Sequence, residues 1–209
     1  MTEYLILVNK KDEPVGMEEK VKCHLPNGKL HRAFTALIFD ESSRLLLGKR
    51  DGGKMLWPNC WDGTFASHPR KDEGYSDAAV RRMPEEVGIK CDVDYAFKFE
   101  YHVPYKDVGS ENEICGTLVG QIDSQIPLSL VEKEISETRW ISAEQLIQEL
   151  KQSSKEFCPW MLIALYLLPK VNPQIITKHK LDGWLMKDTL DIIYNATKIH
   201  LADEKWRLV

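Results

Sequence analysis

Apolar and polar positions alternate most regularly between Val93 and Val103, where Val93, Tyr95, Phe97, Phe99, Tyr101 and Val103 are separated by smaller or polar residues. That is the period-two signature of a long half-buried strand. Glu111, Asn112 and Glu113 open a second such run, Ile114 to Ile122, and alternation puts both carboxylates on one face. Tyr4 to Val8 reads as a strand at a sheet edge, and Glu134 to Ile141 as a further strand. Ala33 to Asp40 and Leu45 to Arg50 predict a hairpin across Asp40-Glu41-Ser42-Ser43. Helical patterns are fewer. Ser76 is placed to cap a helix that ends near Gly88, with Arg82, Glu85 and Glu86 on one face and a bend expected at Pro84. Ser142 and Gln145 form a capping box for a helix to Leu150, Cys158-Pro159-Trp160 starts a helix to Leu168, and Leu181 to Leu201 has helical spacing. Strands joined largely by hairpin turns, with a few helices between them, predict an α+β or α/β/α sandwich.

Composition narrows the function. The 209 residues are 43% hydrophobic with a net charge of −4, enough to bury a core and too acidic for a general binder of nucleic acid or acidic membranes. The longest apolar run, Trp160 to Leu168, is too short to span a bilayer. The odd number of widely spaced cysteines, with no CxxC pair and no signal peptide, leads us to expect reduced thiols in the cytoplasm. We expect one domain over residues 1–168, carrying a C-terminal helical extension over 169–209.

Candidate chemistry concentrates in the first half. If Asn27-Gly28 is the loop of a two-residue hairpin, His24 and His31 become an opposed cross-strand pair able to share a metal ion. Arg50 runs into the Gly-rich segment Asp51-Gly52-Gly53-Lys54, which sets two cations beside backbone that can approach a ligand closely. Glu111 and Glu113 can leave solvent only where something positive meets them, and a metal held with the histidines would supply it. His179 and His200 lack carboxylate partners in the sequence and read as structural.

The stretch Ser67 to Ile89 resembles the signature of the Nudix superfamily through Glu73, Arg81, Glu85, Glu86, Gly88 and Ile89. Ser67 stands where that signature has Gly, and Arg82 where hydrolases of the superfamily have a metal-binding Glu. Both departures resemble type I isopentenyl-diphosphate isomerases, and the wider likeness runs from about Tyr4 to Trp160. It implies a mixed-sheet α/β/α sandwich in which His24, His31, His68, Glu111 and Glu113 hold one divalent ion, Mn²⁺ or Zn²⁺. It further implies Mg²⁺ held by Glu86 and the diphosphate oxygens, with Lys20, Arg50, Lys54 and Arg82 neutralising the diphosphate. Glu113 with Tyr101 would form one proton site and Trp160 would face a carbocation. The substrate would be a small prenyl diphosphate, and the protein a monomer or homodimer.

The family's second proton site is a Cys two residues before the His, and in Gly63-Thr64-Phe65-Ala66-Ser67-His68-Pro69 that place is Ala66. Cys60 lies six residues upstream. The alanine leaves several readings: an isomerase whose thiol has been replaced, an isomerase using Glu113 and a bound water, a Nudix diphosphohydrolase drawing on Glu85, or a non-catalytic diphosphate binder.

Overall fold

A computed structural model describes residues 2–131, 133–201 and 206–209. In chain order the elements are β1 Tyr4–Val8, β2 Pro14–Glu19, α1 Lys20–His24, β3 His31–Phe39, β4 Leu45–Arg50, β5 Trp61–Asp62, β6 Phe65–Ser67 and α2 Tyr75–Glu86. There follow β7 Val93–Tyr105, β8 Gly109–Gln121, β9 Ile135–Ile141, α3 Ala143–Ser153, α4 Pro159–Val171, α5 Pro173–Lys178, α6 Lys187–His200 and β10 Trp206–Leu208. The sheet is mixed. Its main path is β10-β7-β8-β3-β1-β2, with β3 and β8 parallel, and a second branch pairs β4 with β5 and β9.

Alternation along β3 divides the core. Phe34, Ala36 and Ile38 pack with Ala78, Ala79 and Met83 of α2, while Leu37 and Phe39 join the larger cluster that includes α4 from Trp160 to Leu168. Both faces of the sheet are thus covered by helices, and α6 closes over α3 and α4. This is the expected α+β, α/β/α arrangement. Among the described residues no helix is long and apolar enough to cross a membrane.

Several local expectations are corrected. His24 and His31 do not lie opposite each other in a hairpin: His24 ends α1, and the Lys29 N–H donates to the Cys23 carbonyl at 2.7 Å. Pro26 has no N–H to pair with residue 29, so the ladder required by that hairpin is incomplete at its first rung. The sheet edge is β2, with β1 one strand inside it. β3 and β4 pair only at Phe39 and Leu45. They then diverge around the buried Thr64 hydroxyl, which accepts from the Ile38 N–H at 2.9 Å and donates to the Leu46 carbonyl at 2.8 Å.

Helix boundaries shift as well. The N-cap of α2 is Gly74, not Ser76, because Glu73 binds the Arg70 N–H and the Arg81 guanidinium and ties the preceding loop to the helix. The capping box of Ser142 and Gln145 forms as expected. α4 continues through Pro169 to Val171. Leu181 to Leu201 is broken: a 3-10 turn at Asp182–Trp184 precedes α6, because the Trp184 indole docks on Phe39 and donates to the Ser43 carbonyl at 2.9 Å. His179 does have a carboxylate partner, Asp94 at 2.7 Å.

Gly109 allows the close approach that positions His24. A Cβ built there would lie 2.6 Å from the His24 carbonyl oxygen. Gly109→Ala is therefore expected to cost about 1–3 kcal/mol of stability, the usual penalty for overpacking. Denaturant unfolding measures it, and an unchanged midpoint would contradict the close packing of β8 against the end of α1.

A candidate metal and diphosphate site

The parallel register of β3 and β8 sets His31 beside Glu113, and the antiparallel register of β7 and β8 sets Tyr101 on the other side of Glu113. His24 arrives from the end of α1 and His68 from the chain just after β6. Ligand atoms of His24, His31, His68 and Glu113 all lie within 4.8 Å of one another. Glu111 adjoins them, its Oε2 3.0 Å from His24 Nε2. Two rings are fixed from behind: His24 Nδ1 donates to the Lys20 carbonyl at 2.6 Å and His31 Nδ1 to the Lys29 carbonyl at 2.7 Å, which turns both Nε2 atoms inward.

These groups are buried and incompletely paired. His31 Nε2, both ring nitrogens of His68 and Glu111 Oε2 make no well-aligned hydrogen bond, the carboxylates meeting the imidazoles only as close neighbours. A divalent cation would satisfy them together, and imidazole with carboxylate is a donor set suited to Zn²⁺ or Mn²⁺. Burial keeps the His68 ring neutral, its pKa lying well below the usual value. At His24 burial acts in the same direction, but Glu111 outweighs it and the pKa rises to about 9. The Glu113 carboxyl lies below its ordinary range, because His31 and Tyr101 together overcome its burial. Burial and the adjacent Glu113 raise the Tyr101 phenol well above its usual value, and its O–H donates to Glu113 at 2.5 Å.

Beside this cluster is a cavity of about 90 Å³, open to solvent and lined among others by Lys20, Arg50, Lys54, Ala66, Tyr101 and Trp160. Tyr101 and Trp160 form its aromatic wall, their ring centroids 6.2 Å apart, and Trp57 packs against Trp160 at 5.4 Å. Arg50 does not sit in a solvated loop. Its guanidinium donates to the Leu56 and Trp57 carbonyls and stacks 5.1 Å from the Trp160 ring centroid. Lys20 pairs with Glu3 at 2.9 Å.

Glu86 lies apart from the histidines, in a smaller adjoining cavity with Lys54, Asp62, Ala66 and Glu134. Arg82 bonds Glu86 at 2.6 Å and approaches Glu134 at 3.3 Å, while Lys54 pairs with Glu134. Burial, reinforced by Glu134 and opposed by Arg82, pushes the Glu86 carboxyl up to about 7. Sequence reasoning passed over Glu134, Asp62 and Cys115. Cys115 was accessible to it, since alternation along β8 puts this thiol on the face of Glu111 and Glu113. Glu134 and Asp62 carry no such signal, because their neighbours come from distant segments. Cys60 does not line either cavity, and its thiol contacts the Lys155 carbonyl at 3.8 Å.

The sequence profile described as NUDIX domain matches residues 29–161. In architecture the chain is similar to DR0079 from Deinococcus radiodurans, with a TM-score of 0.59 at 20% identity, covering 72% of this chain and 90% of that one. Isopentenyl-diphosphate Delta-isomerase 1 of Photorhabdus laumondii is 37% identical over 161 residues, 76% of this chain and 90% of that protein. Isopentenyl-diphosphate Delta-isomerase of Halobacterium salinarum is 34% identical, covering 78% of this chain and 79% of its own length. The chain belongs to the NUDIX superfamily and, within it, to the isopentenyl-diphosphate Delta-isomerase family.

Proposed function

We propose that the protein converts isopentenyl diphosphate to dimethylallyl diphosphate by adding a proton at one carbon and removing one at another. The observation that carries this reading is the single cavity in which the three-histidine, two-glutamate cluster meets cationic side chains and an aromatic wall. His24, His31, His68, Glu111 and Glu113 would hold a Mn²⁺ or Zn²⁺ ion, and Glu86 a Mg²⁺ ion shared with the diphosphate. Bound there, the ions would supply positive charge that orients Glu113 and offsets the charge of the diphosphate.

The remaining work falls to the chain itself. Lys20, Arg50, Lys54 and Arg82 grip the diphosphate, and a planar guanidinium suits its paired oxygens. Glu113, hydrogen-bonded to Tyr101, exchanges a proton with the substrate from the sheet side. The face of Trp160 stabilises positive charge at the tertiary carbon. Trp160, buried and backed by Trp57, keeps water from that carbon.

Lys54→Ala is expected to weaken binding of isopentenyl diphosphate by about 1.5–3 kcal/mol, the range for hydrogen bonds to charged groups. Titration calorimetry reads this directly, and unchanged affinity would remove Lys54 from the diphosphate site. The diphosphohydrolase alternative draws on Glu85. That carboxylate is tied to Arg81 at 3.4 Å and Arg82 at 2.9 Å, on the more exposed side of α2, so the isomerase reading is preferred. Phosphate release from isopentenyl diphosphate would reverse the preference.

A further inference from the structure

Isomerisation needs a proton carrier on each side of the substrate, and position 66 offers only a methyl group. We propose that Asp62 is the second proton-transfer residue, protonating the alkene from the side of Ala66 and Trp160 while Glu113 and Tyr101 act from the sheet. The inference rests on the isomerase reading and deepens it.

The geometry is specific. Asp62 is 2% exposed and ends β5, paired with Gly48. Its two oxygens lie 2.8 and 2.9 Å from Trp160 Nε1, so the carboxyl group is fixed to the indole that lines the main cavity. Oδ1 also accepts the Gly63 N–H at 2.7 Å. Oδ2, besides the indole, meets only the Arg50 guanidinium at 3.5 Å. Asp62 lines the smaller cavity together with Ala66, Arg50 and Lys54, and those three residues also line the larger one. The small side chain at 66 therefore stands where the two spaces meet.

The thiols near the site are less suited. Cys115 is buried on the same strand face as Glu113 and would act from the same side. Burial also holds that thiol well above its ordinary range. The Asp62 carboxyl, by contrast, is pushed up to about 6 by burial, against the Arg50 charge and the Gly63, Trp160 and Cys158 hydrogen bonds. Both of its forms are then populated near neutrality, as an acid that must be recharged each cycle requires. The titratable groups around it are Arg50 from β4, Cys158 before α4, Cys60 before β5 and Cys115 from β8, with Glu86 of α2, Lys54 and Glu134 lining the same small cavity.

In the step, the Asp62 O–H bond breaks and its proton goes to the terminal alkene carbon. The π electron pair forms the new C–H bond, and the adjacent carbon becomes the cation faced by Trp160. Ionised Glu113 takes a proton from the neighbouring CH₂, and that C–H pair becomes the new double bond. Asp62 ends ionised and Glu113 protonated, and exchange with water restores both.

The test compares isopentenyl diphosphate turnover, with Mg²⁺ and Mn²⁺, in the unaltered chain, Asp62→Asn, Ala66→Cys and the double variant. Asn keeps an acceptor for the Trp160 N–H but has no acidic proton, so kcat should fall by about 10²-fold or more with little change in KM. Adding Ala66→Cys to Asp62→Asn should restore turnover, which a merely structural defect would not allow. In the unaltered chain kcat should decline as pH rises through about 6, the value to which burial raises Asp62. Full kcat in Asp62→Asn, a loss that the thiol does not rescue, or a kcat without that pH limb each overturns the proposal. Allylic product from the unaltered chain and, at full kcat, from Asp62→Asn would overturn it while leaving the isomerase reading intact. No allylic product from either would overturn both.

Discussion

Exchanging Glu113 for glutamine is expected to lower isomerisation by about 10²–10⁴-fold, the contribution of a positioned proton-transfer group. The change is nearly isosteric, so unfolding should move little while turnover collapses. Glu113 stands at the junction of the two halves of the site. Oε1 lies 3.3 Å from His31 Nε2 and 3.5 Å from His68 Nε2, and Oε2 accepts the Tyr101 O–H at 2.5 Å. An amide can still accept from Tyr101, but it cannot take a proton from carbon and brings no negative charge to the histidines. Steady-state kinetics beside thermal unfolding separates the effects. A folded Glu113→Gln protein with nearly full turnover would remove this residue from the chemistry.

Removing divalent metal with a chelator is expected to produce the second large effect, this time on stability. A ligand that binds only the folded state contributes about 4 kcal/mol at a thousand times its dissociation constant. For a chain of this size that is roughly 8–16 °C in the unfolding midpoint. The buried atoms that make no hydrogen bond, His31 Nε2, both His68 nitrogens and Glu111 Oε2, are the physical source of the gain. His31, with no exposed surface, is central among them. In His31→Ala the chelator should therefore have far less effect, and metal analysis should show the tightly bound ion gone. Identical unfolding of the unaltered protein with and without chelator would contradict the metal assignment.

Legibility from sequence followed the range of the interactions involved. The β7 and β8 strands, the shared face of Glu111 and Glu113, and the capping box at Ser142 rest on near neighbours, and each was readable. His24 and His31 meet with ring centroids 4.8 Å apart, but by a helix end and a loop instead of the expected hairpin, because Pro26 cannot complete the ladder. The break in the last helical segment depends on Trp184 finding Ser43, far away in sequence. Glu134 and Asp62 escaped for a related reason: a carboxylate acquires its role from the cations and indole brought to it, and Lys54, Arg82, Arg50 and Trp160 come from three other elements and a loop. The alanine at 66 was plain in the sequence. That it stands between two cavities, one holding a buried carboxyl group, required the fold.

Isopentenyl diphosphate followed by proton and phosphorus NMR with the protein, Mg²⁺ and Mn²⁺ in deuterated water separates isomerisation from hydrolysis. Dimethylallyl diphosphate carrying deuterium, with the diphosphate intact, is the expected product of isomerisation. Release of phosphate without allylic product, or substrate unchanged after prolonged incubation with the metal-loaded protein, would contradict it.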